Sequence, residues 1–158
     1  MLDKSDKELR GTFGKFATGV AVITFVSSKG SKLGITINSY TSLSLNPPMI
    51  LWCLDKVSDL YQEIINLDDY VINFLSEKQK DIAESLAQKN DHILNKDHFI
   101  SIEQGLLIKD CIGWISCSRD KIIDSGDHSI LIAKVNDSKI NDGYPLVFWG
   151  SNYRSLIK

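Results

Sequence analysis

The sequence predicts a mainly β protein with short helices, organised around an antiparallel sheet that curls or closes to hide its edges. Three observations predict it. Runs of β-branched and aromatic residues recur along the chain, bounded by clusters of Gly, Ser, Asp and Asn. Most connections between these runs are too short for the crossover helix that parallel strands need. Finally, 43% apolar and 24% charged residues among 158 are enough for one ordinary core and too little chain for two full domains. A single domain over residues 1–158 is expected.

The elements follow in order. Ser5-Asp6-Lys7-Glu8 has the capping-box pattern, and Leu9, Phe13 and Phe16 continue at helical spacing, so a short amphipathic helix is expected over 5–17. Gly19 stops it. Val20–Val26 is β-branched and aromatic, Ser27–Ser31 is a turn, and Leu33–Ser39 returns as the second strand of a hairpin. Asn46-Pro47-Pro48 breaks the chain before Met49–Leu54, a continuous apolar run that reads as a strand buried on both faces. Ser58-Asp59 would cap a helix reaching Ile65, Tyr70–Leu75 is a further strand, and Ser76–Gln79 opens a helix ending near Ala87. Residues 88–100 are polar and read as loop. Ile112–Arg119, Ser129–Val135 and Leu146–Trp149 are the strongest runs of the last third, separated by Asp-Ser-Gly-Asp and Asn-Asp-Gly turns. The total is six or seven strands with about three helices.

Charge and composition narrow the function classes. A net charge of −2 argues against a nucleic-acid binder that works by bulk charge. Residues 1–50 carry a net +3 and residues 51–110 a net −6, a positive start that would suit an anionic small ligand and equally fits ordinary surface variation. No apolar run reaches the roughly 18 residues of a membrane helix, and the N-terminus has no signal-peptide stretch, so a cytoplasmic location is expected. Cys53, Cys111 and Cys117 form no CxxC pair and lie in apolar stretches, which favours packing over disulfides or zinc. His92, His98 and His128 lack ligand spacing, and no metal is expected. Nucleotide-binding GxGxxG and GxxxxGK[ST] signatures are absent, as is a GxSxG elbow.

Two stretches carry possible chemistry. Gly34–Ser44 interleaves hydroxyl and amide residues with apolar ones as it leaves a strand, an arrangement able to hold a phosphate or the polar edge of a heteroaromatic ring. Ser125-Gly126-Asp127-His128-Ser129 carries one imidazole from a tight turn into an apolar strand. Each alone has a plain structural reading, as a polar strand end and a packed histidine.

Together they resemble a known family. Thr36-Ile37-Asn38-Ser39-Tyr40 resembles the Thr-Ala-Asn-Ser-aromatic motif of the flavin reductases, the reductase components of two-component flavin-dependent monooxygenases. Ser42-Leu43-Ser44-Leu45-Asn46-Pro47-Pro48 is similar to that family's Ser-Val-Ser-Leu-Asp-Pro-Pro, and Gly126-Asp127-His128 to its Gly-Asp-His. Phe16–Val20 at the start and Pro145-Leu146-Val147 with Tyr153 at the end fit as well, in the family's order from Phe16 to Tyr153. Ile37 departs from the pattern by replacing a small Ala, adding bulk where backbone usually lies against the flavin.

The resemblance implies an antiparallel split β-barrel of the FMN-binding type and reduction of FMN or FAD by NADH or NADPH. It further implies a homodimer, with the flavin at the subunit boundary, that hands reduced flavin to a partner monooxygenase. By position, Thr36, Ile37, Asn38 and Ser39 would face the isoalloxazine edge. Ser42, Ser44 and Ser58 belong with the cofactor-binding set, Ser39, Ser42 and Ser58 toward the ribityl or phosphate end. His128 would sit beside the nicotinamide, and Phe74 and Tyr153 would touch the rings. Two other readings share this fold: a flavoprotein that keeps FMN tightly as an oxidase or oxygenase, and a non-enzymatic flavin- or haem-binding module. A ligand-free structural barrel remains a third, because a fold does not by itself set a function.

Overall fold

The computed structural model describes residues 6–156. Ser5 of the capping-box pattern lies outside that range. The first helix, α1, runs Asp6–Phe13, shorter than the expected 5–17, and the chain turns at Gly14 by a hydrogen bond from its N–H to the Arg10 carbonyl. The strands are β1 (Thr18–Gly19), β2 (Ala21–Val26), β3 (Lys32–Ile37), β4 (Thr41–Leu45), β5 (Pro48–Asp55) and β6 (Asp69–Phe74). They continue with β7 (Phe99–Ile102), β8 (Gly105–Ile108), β9 (Gly113–Ser125), β10 (His128–Ile140), β11 (Val147–Trp149) and β12 (Asn152–Arg154). Helices α2 (Tyr61–Ile64) and α3 (Lys80–Ser85) are single short turns of chain between strands.

Seven strands form one antiparallel sheet in the order β3-β2-β6-β9-β10-β5-β4; β1-β11-β12 and β7-β8 make two small sheets beside it. The β2–β3 hairpin is the one expected, in register from Ala21↔Ile37 to Val26↔Lys32. Strand alternation divides the core in two. From β2, Ala21, Ile23 and Phe25 enter one cluster with Trp52, Leu54, Ile64, Ile72 and Leu131, while Val22 faces the other. That second cluster is covered by Ile82 and Ala83 of α3, Leu106 and Ile108 of β8, and Leu94, Phe99 and Leu146. Trp52 is fully buried, and its indole N–H donates to the Tyr70 hydroxyl at 3.0 Å, so burial leaves no polar atom of the ring unpaired. Burial pushes the Cys117 thiol up to about 12, so Cys117 behaves as a core hydrophobe.

Several expectations need correction. Met49–Leu54 is buried on one face only: Ile50, Trp52 and Leu54 are covered, whereas Met49, Leu51 and Cys53 are half-buried, because no second layer covers that side in the single chain. Twelve strands stand among the described residues, against six or seven expected. The extra ones include the β7–β8 hairpin, part of which reads as polar loop, and β9 runs six residues past Arg119, through Asp120-Lys121-Ile122-Ile123-Asp124-Ser125. Ser58 does not cap a helix. Its hydroxyl accepts a 3.3 Å bond from the Leu60 N–H, and α2 begins only after Leu60. At Ser76–Gln79 half of the capping box is realised, with the Gln79 amide oxygen accepting the Ser76 N–H at 2.9 Å.

A buried polar knot fastens the β7–β8 hairpin to the sheet. The Asn73 amide donates to the Thr24 hydroxyl (2.9 Å) and the Val22 carbonyl (3.2 Å), and its oxygen accepts the Ile108 N–H (2.9 Å). The Thr24 hydroxyl in turn donates to the Leu106 carbonyl at 2.5 Å. Every member of the knot is satisfied, which is what makes burying it tolerable. Asn73→Ala is expected to lower the free energy of unfolding by about 2–4 kcal/mol, since it strands the Ile108 N–H in the core. Urea unfolding measures this directly; a loss below about 0.5 kcal/mol would mean the hairpin is held by apolar contact alone.

Candidate active site

The candidate site grows from the end of β3. After Ile37 the chain leaves the strand and crosses to β5, where the Ser39 hydroxyl accepts the Cys53 N–H and donates to the Cys53 carbonyl, both at 3.0 Å. One side chain thus serves as a rung of the ladder just before β4 begins pairing at Thr41↔Leu51. Tyr40 then lays its ring edge-on against Phe74, with centroids 4.9 Å apart at 74°. Thr36 is also spoken for, because its hydroxyl donates to the Ala83 carbonyl at 2.9 Å.

This crossing forms one wall of a cleft of about 480 Å³, within the range of small-molecule sites. Ile37, Asn38, Tyr40, Thr41, Ser42 and Phe74 line it together with Phe16–Ala21, Leu75, Ile112 and Pro145. A narrower extension of about 150 Å³ shares Val20, Ile37 and Asn38 and adds Thr36, Ala87, Phe148 and Tyr153. The wall behind Thr36 is a loop laid along β3 by bonds from the Gly34 N–H to the His92 carbonyl and from the Thr36 N–H to the Leu86 carbonyl. Gly34 permits that approach: a Cβ there would meet Leu94 at 3.0 Å and both Leu86 and Val22 at 3.1 Å. Burial raises the Tyr40 and Tyr153 phenols, so both are neutral and able to donate.

The cleft gathers Thr36, Ile37, Asn38, Ser42, Phe74 and Tyr153 from the residues named on sequence grounds. Ile37 is 8% exposed, so most of its extra bulk is spent inside the core and only part of it faces the cleft. Ser39 holds the wall together without offering a free hydroxyl. Ser44 sits on β4 and accepts the Asn46 N–H at 3.2 Å, outside the lining. Ser58 and His128 lie elsewhere, at the open end of β5 and the β9–β10 turn. The Lys56 N–H donates to the Asp127 carbonyl (3.0 Å) and its ammonium to the Gly126 carbonyl (3.1 Å), clamping the turn that presents His128. Gly126, with φ +59°, supplies the left-handed residue this turn needs.

His128 Nδ1 lies 2.8 Å from Asp127 Oδ1. The carboxylate can only accept, so Nδ1 carries the proton. That hydrogen bond, with the imidazole's charge, lowers the Asp127 pKa below the usual carboxylate range. Residues not named on sequence grounds complete the cleft: Thr18, Thr41, Ala87, Ile112, Pro145 and Phe148. Only Phe16–Val20 and Pro145 gave a signal, as motif positions without a role. A larger depression of about 920 Å³ opens between Ser76–Gln79, Lys109–Cys111 and Asn141–Tyr144. Its buried Gln79 is bonded at both ends, to the Ser76 N–H and the Lys109 carbonyl. Among the described residues no cluster of three or more His, Cys, Asp or Glu is placed to hold a metal ion, and no helix is long and apolar enough to cross a membrane.

The fold is that of the flavin reductases, as the comparisons show. Residues 13–156 match the family model described as the flavin reductase like domain, so the chain belongs to that family. The reductase component of the flavin-dependent trigonelline monooxygenase of Acinetobacter baylyi is 37% identical over 132 residues, covering 83% of this chain and 43% of that protein. An NADH-dependent FAD reductase of Streptomyces globisporus is 31% identical over 142 residues, 85% of this chain and 77% of that one. The solved NADH:FAD oxidoreductase SgcE6 of Streptomyces globisporus C-1027 superposes with a TM-score of 0.91 at 27% identity, covering 100% of this chain and 97% of that structure. The chain spans 42 to 58%, about half, of the length of three relatives: the Acinetobacter protein and two from Rhizobium meliloti. The split-barrel class expected from the sequence therefore holds.

Ser39→Ala is expected to destabilise the fold by about 1–2 kcal/mol, because the Cys53 N–H and carbonyl both lose their partner. Equilibrium unfolding in urea checks it, and an unchanged midpoint would show that the crossing is held without Ser39.

Proposed function

We propose that this chain is an NADH- or NADPH-dependent reductase of FMN or FAD, supplying reduced flavin to a partner monooxygenase. The cleft beside residues 36–42 carries this reading. Its walls are flat and apolar where Phe74, Ile112 and Pro145 contribute, and polar at the crossing where Asn38, Thr41 and Ser42 stand, the combination a large heteroaromatic ring with one polar edge requires. The relatives named as flavin or FAD reductases support the same substrate class. When bound, the nicotinamide and the flavin bring the hydride chemistry with them, from C4 of one to N5 of the other.

The chain's own task is to bind, orient and exclude water. Phe74 and Tyr40 present ring edges to the wide part of the cleft, and Tyr153 closes the narrow part against Phe148, at a centroid distance of 5.3 Å. Asn38 and Ser42 are exposed and uncommitted in the sense that matters, being open to a ligand's polar groups, whereas Thr36 and Ser39 act through the positions they hold. His128, its Nδ1 proton fixed by Asp127, offers Nε2 to a nicotinamide carboxamide. Ser58 stands at the same end as a candidate for a phosphate.

His128 and Ser58 lie outside the lining of their own chain's cleft, and this favours a homodimer in which one protomer's turn serves its partner's flavin. The half-open face of β5 and the exposed Phe16, Leu45 and Ile140 are surfaces such a pairing would cover. A cytoplasmic setting suits a protein that draws on free dinucleotides.

With added FMN or FAD the purified chain is expected to consume NADH or NADPH above the uncatalysed rate, read at the nicotinamide absorbance band. No consumption with any of the four pairings would remove the reductase reading. His128→Ala is expected to lower kcat/KM for the nicotinamide about tenfold or more while leaving thermal stability nearly unchanged, because the side chain is 43% exposed. Unchanged steady-state kinetics would take His128 out of the site.

A further inference from the structure

The tip of the β9–β10 hairpin, which carries His128, has little lateral support from the sheet. β6 pairs with β9 only from Gly113 to Ser118, and among the described residues no strand takes its place along the rest of β9. On the other side β5 follows β10 as far as Asp55↔His128. Successive residues of β10 point to opposite faces, so His128 stands on the half-buried side with Ile130 and Ile132, and Ser129 on the covered side with Leu131 and Ala133. Ser129 is 0% exposed, a fully buried hydroxyl one residue from the imidazole.

The bonds around Ser129 have fixed directions. Its Oγ lies 2.6 Å from Asp124 Oδ1 and 2.8 Å from the Tyr61 hydroxyl. A carboxylate only accepts, so Ser129 donates to Asp124; the Ser129 proton is then spent, and Tyr61 donates to Ser129. Asp124 Oδ2 in turn lies 3.9 Å from Lys56 Nζ, and that ammonium donates to the Gly126 carbonyl at 3.1 Å. A directed chain of contacts thus runs from Tyr61 through Ser129 and Asp124 to Lys56 and the backbone of the turn. Its inner end is anchored, because Tyr61 opens α2, whose Ile64 is fully buried. Its outer end is in water, with the Asp124 side chain 67% exposed. Ser129 is the link between the two.

We propose that Ser129 is a positioning residue for His128: by tying Asp124 to Tyr61, its buried hydroxyl fixes the hairpin tip and with it the place where the imidazole stands. This rests on the reading of His128 as the nicotinamide contact. The Asp127 bond to His128 joins neighbouring residues of the same turn and moves with it, so it sets the tautomer without setting the place.

The test is a double-mutant cycle between Ser129→Ala and His128→Ala, read as kcat/KM for whichever of NADH and NADPH the chain oxidises, with the Kd of FMN measured alongside. Ser129→Ala is expected to lower kcat/KM about fivefold at unchanged FMN Kd, and to cause no further loss once His128 is alanine, an epistasis that a general weakening of the fold would not produce. A kcat/KM within twofold of wild type overturns the proposal. So does an equal loss in the His128→Ala background, or a matching loss of FMN affinity, since either would place the effect of Ser129 elsewhere in the fold. Should Ser129→Ala fail to fold, Asp124→Ala, which breaks the same chain from its exposed end, is read by the same criteria. Unchanged kinetics in His128→Ala remove the His128 reading and this inference with it; a loss in His128→Ala that Ser129→Ala does not share removes this inference alone.

Discussion

The site depends on how the chain gets from β3 to β4. These two strands, at opposite edges of the sheet order, are joined by three residues, and the ladder of β5 is left with an N–H and carbonyl at Cys53 that the start of β4 does not reach. Ser39 answers both with one hydroxyl. Because the bonds are made by a side chain, the backbone at Asn38–Tyr40 stays out of the ladder and stands free at the lip of the cleft. A residue without a hydroxyl at that position leaves Cys53 unpaired, and a longer side chain has no reason to stop there. This is why the motif is hydroxyl-rich before any ligand is considered.

The same logic divides the polar residues of the motif. Thr36 and Ser39 are committed to carbonyls inside the fold, and Ser44 to its own turn, so they shape the cleft without addressing its contents. Asn38 and Ser42 face outward. A motif that looks uniform in sequence therefore divides its work: Thr36 and Ser39 hold the wall, Ser44 bonds within its own turn, and Asn38 and Ser42 stay open to solvent. Counting hydroxyls as ligand contacts would overstate the recognition surface.

The fold was largely legible because its main strands advertise themselves. Val20–Val26 and Leu33–Ser39 flank an unmistakable turn, and the Asp-Ser-Gly-Asp cluster marks the β9–β10 reversal. What escaped reading has definite causes. The β7–β8 hairpin consists of two four-residue strands, and its turn relies on Gly105 at φ +133°, a signal lost among polar neighbours. The second half of β9, Asp120-Lys121-Ile122-Ile123-Asp124-Ser125, sets polar and apolar residues side by side in pairs and so lacks the alternation that marks a strand. At Ser58 the expected cap failed because the Leu60 side chain is drawn into the core, and the helix starts after it. In the site, the contiguous half from Thr36 to Ser42 was visible. The rest of the lining, Ile112, Ala87 and Phe148, comes from segments far apart in the chain that only the tertiary fold brings beside residues 36–42, and periodicity carries no trace of that.

Separation of the imidazole from the cleft bears on the chemistry. Under the proposed reading, hydride transfer between two bound cofactors would need stacking and exclusion of water more than an acid or a base, and an apolar cleft with a few polar contacts would supply both. His128 is then free to be placed by a different part of the molecule, as it is here, on a turn stiffened by Lys56 and Asp127 instead of on the cleft wall. Fixing the tautomer costs that turn little, since Asp127 is fully exposed and keeps its charge in water. An arrangement in which one protomer brings the ring-binding wall and its partner the imidazole would make the nicotinamide's seat exist only in the assembled pair. The open side of β5, with Met49, Leu51 and Cys53 half-buried in the single chain, lies on the strand that touches both features: Ser39 of the crossing bonds Cys53, and Asp55, two residues further on, pairs with His128. Association across that face would act on both at once.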